Sequence, residues 1–165
     1  MEEGIIAPIV ISVIILILLI KSVLIVKEQT AFAIERFGKF IRVAGPGLGF
    51  IIPFVDKKAS EVNLRVQQLD VTIETKTLDD VFVNLQVSVQ YSVNKSMIKE
   101  AYYSLDHPKN QIASYIFDDV RAEVPKLELD DVFAKKDDIA VAVQQNIASS
   151  MDRYGYMIIK ALITD

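Results

Sequence analysis

The chain has 165 residues, with 18 basic and 22 acidic side chains, a formal net charge of −4, one His, and neither Cys nor Trp. Without Cys it has no disulfide framework, no Cys-ligated metal and no cysteine nucleophile, and a single His excludes a site built from several His ligands. A mildly acidic chain is also a poor candidate for nucleic-acid binding, which depends on a clustered basic face.

Residues 1–26 predict a membrane anchor. No charged residue lies between Gly4 and Ile20, and as a helix this stretch would reach about 25 Å, slightly less than the ~30 Å apolar layer of a bilayer. Continuation past Lys21 to Val26 would supply the remaining length. A re-entrant hairpin bending at Pro8 and a buried core helix are the alternatives. The anchor residues expected to face lipid are Ile5, Ile9, Ile14, Leu16, Leu18 and Ile20.

The charges around this segment indicate its orientation. Glu2 and Glu3 precede it, whereas residues 21–58 carry seven basic and three acidic side chains. Lys and Arg next to an apolar span favour the cytoplasmic side, so residues 27–165 are expected there. Anionic headgroups attract such cations, and the expected headgroup contacts are Lys21, Lys27, Lys57 and Lys58.

Strands are predicted next along the chain. Residues 30–40 resemble a hairpin turning at Gly38-Lys39, and residues 45–49 form a Gly/Pro loop that leads into the uniformly apolar residues 50–55. The apolar positions of residues 62–66 and 69–73 have opposite parity, which predicts a bulge or bend at Gln67-Gln68. Strict alternation over residues 81–91 predicts a half-buried strand.

Helices dominate the rest of the chain. One is expected from Asn94 to about Tyr103, a second from Pro108 to about Glu123, and a third from about Lys136 to Tyr154, with Gly155 as its C-terminal cap. A last strand covers residues 156–163. Strands followed by helices predict an α+β fold, with a strand-rich part over residues 27–92 and a helix-rich part over residues 93–165.

An acidic region lies in the helical part. Residues 118–138 contain eight acidic and four basic side chains. They could be solvated helix faces, or they could meet the basic surface of a neighbouring subunit in a heterologous contact, the kind that generates rings. On the second hypothesis Asp130, Asp131 and Arg121 form part of an oligomer interface.

The sequence contains no recognisable catalytic or cofactor-binding motif. His107 precedes Pro108 at an expected helix start, and Ser149 and Ser150 lie in an amphipathic helix without an evident base. The paired acids lack the spacing of a calcium loop. We therefore predict no catalytic residue, no cofactor and no metal site.

Many short motifs in a fixed order resemble one known family. They are Val26–Ala31 (VKEQTA), Glu35–Phe40 (ERFGKF), Gly45–Leu48 (GPGL), Ile52–Asp56 (IPFVD), Leu64–Val71 (LRVQQLDV), Thr75–Thr77 and Asp79–Val83, Arg121–Leu127 (RAEVPKL), Leu129–Phe133 (LDDVF) and Tyr154–Tyr156 (YGY). Together they resemble the SPFH or band 7 family of stomatin, prohibitin, flotillin and HflK-HflC, nearest the stomatin branch and the plant hypersensitive-induced-reaction proteins. The resemblance covers nearly all of residues 24–165.

The resemblance implies a non-enzymatic, membrane-attached α+β head that assembles with copies of itself into large rings or cages. Such proteins organise membrane microdomains and control integral membrane partners, including membrane proteases and channels; a dedicated regulatory subunit of one protease or transporter is the alternative. The family's C-terminal coiled coil would begin where these 165 residues stop, so we expect it to be absent from this sequence.

The resemblance also implies a membrane-docking loop. Its expected residues are Leu48, Phe50, Ile51, Ile52 and Phe54, and the alternative is a segment tucked beneath the sheet.

Overall fold

A computed structural model describes residues 3–164, with side chains from Pro8 onward. Within this range the backbone forms five α-helices and eight strands. In chain order they are α1 Glu3–Ser22, β1 Val23–Val26, β2 Thr30–Arg36, β3 Lys39–Ala44, β4 Gly47–Phe50, β5 Asp56–Asn63, β6 Gln67–Lys76, β7 Phe82–Val93, α2 Ile98–Tyr103, α3 Pro108–Glu123, α4 Leu129–Ala134, α5 Lys136–Met151 and β8 Tyr156–Thr164.

The chain folds as two units, Met1–Asn63 and Leu64–Asp165. The strands pair in antiparallel sheets, β1-β4 and β3-β2-β5 in the first unit and β6-β7-β8 in the second. Helices α3 and α5 pack on the sheet of the second unit. This arrangement confirms the predicted α+β class.

The first unit has a small core beneath its strands. Leu24 and Val26 of β1 point inward and pack with Ile34 of β2 and Ala44 of β3. Because side chains alternate along a strand, Val23 and Ile25 then face outward. Residues directly opposite in an antiparallel pair share a face. The outward face therefore also carries Phe50, opposite Val23, and Leu48, opposite Ile25.

Strand β1 corrects the predicted extent of the anchor. The helix ends at Ser22, and residues 23–26 pair with β4 instead of extending it. Of the part of the chain that the structure describes, no helix is long and apolar enough to cross a membrane. The side chain of Ile5 lies outside the described residues, whereas the large aliphatic side chains from Ile9 to Ile20 are exposed.

The β2–β3 hairpin turns one residue earlier than expected. Strand β2 ends at Arg36 and β3 begins at Lys39, so Phe37 and Gly38 form the turn. Both have positive φ, 50° and 79°. This is the signature of a type I′ turn, whose twist matches that of the strands.

The parity change near Gln67 marks the passage between the two units. Strand β5 ends at Asn63, the backbone bends at Arg65, and β6 begins at Gln67 in a different sheet. A bend forms, but at Arg65 and not at the predicted Gln67-Gln68. The expectation that it keeps both apolar sets in one core is wrong, because Val62 belongs to the first unit whereas Val71 and Ile73 belong to the second.

The second unit follows its apolar pattern closely. Strand β7 buries alternate residues from Val83 to Tyr91, as predicted, and α3 buries Ile112, Ile116 and Val120. Helix α5 buries Ile139, Val143, Ile147 and Met151. In addition, the hydroxyl of Tyr156 donates a hydrogen bond to the Ala101 carbonyl at 2.9 Å. The sheet and helices of the second unit are therefore held together by the burial of these apolar side chains and by polar contacts such as the Tyr156–Ala101 hydrogen bond.

Two helix boundaries differ from the predictions, and one helix was not predicted. Asn94 is not a helix cap: its side chain accepts from Ser96 in a turn, and α2 begins only at Ile98. Helix α4 was not predicted, and α5 ends at Met151, with a single 3₁₀ turn over residues 152–154. Gly155 follows in the left-handed conformation (φ 78°), so it is a cap as predicted, but of the 3₁₀ turn and not of α5.

We expect Gly155→Ala to cost more stability than Gly38→Ala. Both glycines have φ near +79°, where an L-residue costs roughly 1–2 kcal/mol, but a Cβ at Gly155 would lie 2.6 Å from the Met97 carbonyl oxygen and 2.9 Å from the Met97 Cβ. A Cβ at Gly38 would meet open space. Gly155→Ala should lower the free energy of unfolding by about 2–4 kcal/mol, measured by urea unfolding; equal losses in both variants would contradict the clash.

Candidate functional site

An apolar strip lies on the surface of the first unit. We define it as the outward-facing residues of β1 and β4 and the exposed residues of the loop that follows β4: Val23, Ile25, Leu48, Phe50, Ile52 and Phe54. Ile25 is 76% exposed and Phe54 is 85% exposed. Single exposed apolar residues are ordinary, but a contiguous apolar surface marks a site for a protein or a membrane.

Asp56 fixes the conformation of the loop between β4 and β5, residues 51–55, which we call the apolar loop. Its Oδ1 accepts from Arg36 Nε at 2.8 Å, its Oδ2 accepts from the Ile52 backbone N–H at 3.0 Å, and its own N–H donates to the Ile52 carbonyl at 2.9 Å. The carboxylate is almost completely covered, with 5% of its side chain exposed. Arg36 first, and then the Ile52 N–H, lower the pKa of Asp56. This cluster fixes residues 52–56 as a closed turn.

The beginning of the loop is tied to the end of α1. The Ile51 N–H donates to the Ser22 carbonyl at 2.8 Å, and the Ser22 hydroxyl donates to the Ile51 carbonyl at 2.7 Å. Arg42 donates to the Phe50 carbonyl. Because its backbone is held there, Ile51 turns inward and packs against the core of Leu24, Val26, Ile34 and Ala44.

Four of the five predicted docking residues are therefore exposed, and Ile51 is half-buried. The alternative of a loop tucked beneath the sheet describes Ile51 alone. The prediction assigned Val23 and Ile25 to the anchor. In the structure they lie on the same face of the two-stranded β1-β4 sheet as Leu48 and Phe50.

Phe54 is held in an unfavourable backbone conformation. Its φ is 68°, a region that bulky residues rarely adopt and that costs of order 1–3 kcal/mol. Its ring lies 5.9 Å from Lys21 Nζ, measured to the ring centroid. An aromatic ring is thus held exposed beside Lys21, at the end of α1, although the backbone conformation that holds it there is unfavourable.

The predicted headgroup contacts do not share one face. Lys21, Lys27, Lys57 and Lys58 are all exposed, but Lys57 and Lys58 are consecutive in β5 and so point to opposite faces of the strand. Lys58 Nζ lies 5.2 Å from the centroid of the Phe32 ring. Lys27 is in the turn after β1, where its carbonyl accepts from the Thr30 hydroxyl at 2.9 Å. Of these four, Lys21 contacts the apolar strip, through the ring of Phe54.

The predicted interface residues lie in the second unit. Asp130 and Asp131 are in the first turn of α4, and Arg121 is in the last turn of α3. Asp131 pairs with Lys135 at 3.2 Å, and the Arg121 guanidinium lies 5.5 Å from the Phe117 ring centroid. Asp130 and Arg121 are exposed. No recorded contact within the described residues joins Arg121 to either Asp.

The position of α4 depends on the turn between β6 and β7. Asp79 Oδ1 accepts from the Thr77 hydroxyl at 2.6 Å and from the Leu129 N–H at 3.1 Å, and the Leu78 N–H donates to the Leu127 carbonyl at 2.8 Å. The Thr77 hydroxyl is the main cause that lowers the pKa of Asp79. Asp130 and Asp131 are thereby presented on a rigid turn of helix.

The residues considered for catalysis are not brought together by any recorded contact. His107 Nε2 lies 3.5 Å from its neighbour Asp106, and the Ser149 hydroxyl donates to the Asn146 carbonyl of its own helix at 2.8 Å. Ser150 is half-buried on α5. Over the described residues, no group of three or more His, Asp and Glu side chains could hold a metal ion.

Comparison with known proteins gives the family. The model of the SPFH domain / Band 7 family matches residues 24–165. The chain belongs to the SPFH/band 7 family. This confirms the resemblance drawn from its motifs.

Named relatives fall in the predicted branch. Hypersensitive-induced response protein 4 of Arabidopsis thaliana is 40% identical over 85% of this chain and 48% of its own length. A stomatin homolog of Pyrococcus horikoshii is 32% identical over 92% of this chain and 56% of its own, and human mitochondrial stomatin-like protein 2 is 28% identical over 87% and 40%. The chain therefore spans about half the length of these relatives.

We expect Asp56→Asn to release the loop. Because the folded pKa of Asp56 is lowered, its contribution to stability is present above the ordinary carboxyl pKa of about 4 and is lost only as the pH falls through the folded value. The Ile52 amide should therefore stay protected from hydrogen exchange down to about pH 4 in the unaltered chain, and above that pH it should exchange faster in Asp56→Asn. Asp70→Asn, which removes a hydrogen-bonded carboxylate from the second unit, is the matched control. Unchanged exchange at Ile52 in Asp56→Asn would contradict this role.

Proposed function

We propose that this chain is a non-enzymatic, membrane-attached scaffold. In this proposal the exposed aliphatic side chains of α1 and the apolar strip contact the bilayer, and copies of the chain assemble side by side into a ring or cage. Such an assembly would organise membrane microdomains and modulate integral membrane proteins, including membrane proteases and channels. The head lies on the cytoplasmic side, as the basic residues that follow α1 favour.

The observation that carries the proposal is the exposed loop held by Asp56. A loop that displays Ile52 and Phe54 would ordinarily fold back onto the nearest core, because burial of each side chain is worth roughly 1.5–3 kcal/mol. Ile51 does fold back, whereas its neighbour Ile52 and Phe54 are kept outside by backbone hydrogen bonds and an ion pair. Insertion into lipid would recover that free energy.

The surroundings of the loop favour lipid as the partner. Helix α1 exposes large aliphatic side chains from Ile9 to Ile20, and hydrogen bonds join its last residue, Ser22, to Ile51. A helix that is apolar all round needs an apolar environment. Lys21, beside Phe54, is placed for an anionic headgroup. Helix end, cation and apolar loop thus occur together in one unit.

Family membership supports assembly and the absence of catalysis. The charge separation supports it too: residues 21–58 sum to +4 and residues 118–138 to −4, so opposite charges are available for a head-to-tail contact between copies. A dedicated regulatory subunit of one membrane protease or transporter is the alternative, favoured if one stoichiometric partner accompanies the chain.

A single introduced Trp tests membrane docking. The chain has no Trp, so Phe54→Trp in the full chain, reconstituted into vesicles, gives one fluorescent reporter with little change in shape. We expect brominated lipids to quench it strongly. Phe133→Trp is the control: Phe133 is 46% exposed on α4, beside Asp130 and Asp131, and should not be quenched. Equal quenching at both positions, or none at position 54, would contradict docking through the strip.

Charge reversal tests the assembly surface. Asp130→Lys with Asp131→Lys should reduce the native mass of the detergent-extracted particle if α4 contacts a neighbouring copy. The double variant Asp137→Lys with Asp138→Lys is matched, because those carboxylates occupy the first turn of α5 in the same way and carry the same interaction with the helix dipole. A mass lowered only by the first pair supports the interface. An unchanged mass, or equal loss in both variants, argues against it.

A further inference from the structure

A second exposed aromatic residue stands at the tip of the β2–β3 hairpin. Phe37 is 86% exposed and Phe54 is 85% exposed, the two highest values among the large apolar side chains that the structure describes. Phe37 also has positive φ, 50°. The first position of a type I′ turn ordinarily holds Asn, Asp or Gly, so local backbone preference does not explain a Phe there.

The register of the sheet places this tip beside the apolar loop. Arg36 is the last residue of β2, and it pairs with Lys39 across the hairpin and with Asp56, the first residue of β5. Phe37 directly follows Arg36, and Phe54 comes two residues before Asp56. The hairpin tip and the loop therefore leave the same end of the sheet, where the Arg36–Asp56 ion pair joins them.

The charges at this end suit a lipid surface. Lys39 follows the hairpin turn and Lys57 follows Asp56, and both are exposed. Exposed aromatic rings flanked by cations fit the boundary between anionic headgroups and acyl chains, where rings insert and ammonium groups meet phosphate. A groove on a second copy of the chain would instead have to cover both rings without leaving these cations unpaired.

We propose that Phe37 is a second membrane-inserting side chain. The hairpin tip and the apolar loop would then both bind a bilayer that contains anionic lipid. This rests on the proposed function, since it adds an insertion point to the same docking site. The unfavourable backbone conformations of Phe37 and Phe54 would then have the same effect, which is to keep both rings exposed to the bilayer.

Two single-Trp variants separate this inference from the proposed function. Phe37→Trp and Phe54→Trp are compared in the full chain, in vesicles of phosphatidylcholine with phosphatidylglycerol and brominated acyl chains. We expect both to lose most of their emission relative to unbrominated vesicles. Quenching at position 54 without quenching at position 37 would overturn the second insertion point alone. No quenching at either position would overturn the docking proposal itself. Blue-shifted but unquenched emission from Phe37→Trp would assign the tip to a protein contact and likewise overturn the inference.

Phe37→Asn distinguishes a ring that inserts into lipid from a ring that packs within the protein, because only loss of packing would lower the Tm. Asn suits the turn, so this variant should be at least as stable as the unaltered chain, with an equal or higher Tm. Built on the Phe54→Trp background, it should nevertheless weaken quenching of the indole at position 54 severalfold, as should Lys39→Glu. A lower Tm for Phe37→Asn would show that the ring packs within the protein, and unchanged quenching at position 54 would show that the tip does not contribute to docking; either result overturns the proposal.

Discussion

Asp56 joins the sheet of the first unit to its apolar loop. Its carboxylate meets Arg36 at the end of β2 and the backbone N–H of Ile52 in the loop, and these two contacts hold the loop closed with Ile52 and Phe54 outside. Ile51 reaches the core, while Ile52 and Phe54 do not. Polar groups thus keep apolar groups exposed, against the usual tendency of a chain to bury them. The conformation of the loop depends on this arrangement, and its attachment to α1 depends on the hydrogen bonds between Ser22 and Ile51.

The two units differ in chemistry in a way that fits a scaffold. The first carries the apolar strip beside the seven basic and three acidic side chains of residues 21–58, whereas the second carries carboxylates in the first turns of α4 and α5. In the scaffold proposed above, the first surface would meet anionic lipid, and the second would face water and a neighbouring copy.

The sequence predicted best those elements that are governed by local periodicity. Helix α3 and strand β7 follow directly from the spacing of Ile112, Ile116 and Val120 and from the alternation of residues 83–91. Strand β1 was missed because Val23–Val26 is uniformly apolar and continues an apolar segment, and only its pairing with Gly47–Phe50 makes it a strand. The inward turn of Ile51 depends on Ser22, which lies 29 residues away. Phe37 was missed because Gly38-Lys39 is the stronger turn signal, whereas the backbone turns one residue earlier. Such long-range pairings leave no periodic trace in a sequence.

Hydrogen exchange on the full chain, compared between lipid vesicles and detergent, tests most directly whether the apolar loop docks onto a bilayer. The account predicts slower exchange on vesicles in the segment that covers residues 51–56, with no change in α4 and α5 of the second unit. Equal exchange of that segment in both environments would contradict it, because a loop that inserts into lipid is removed from water together with its backbone.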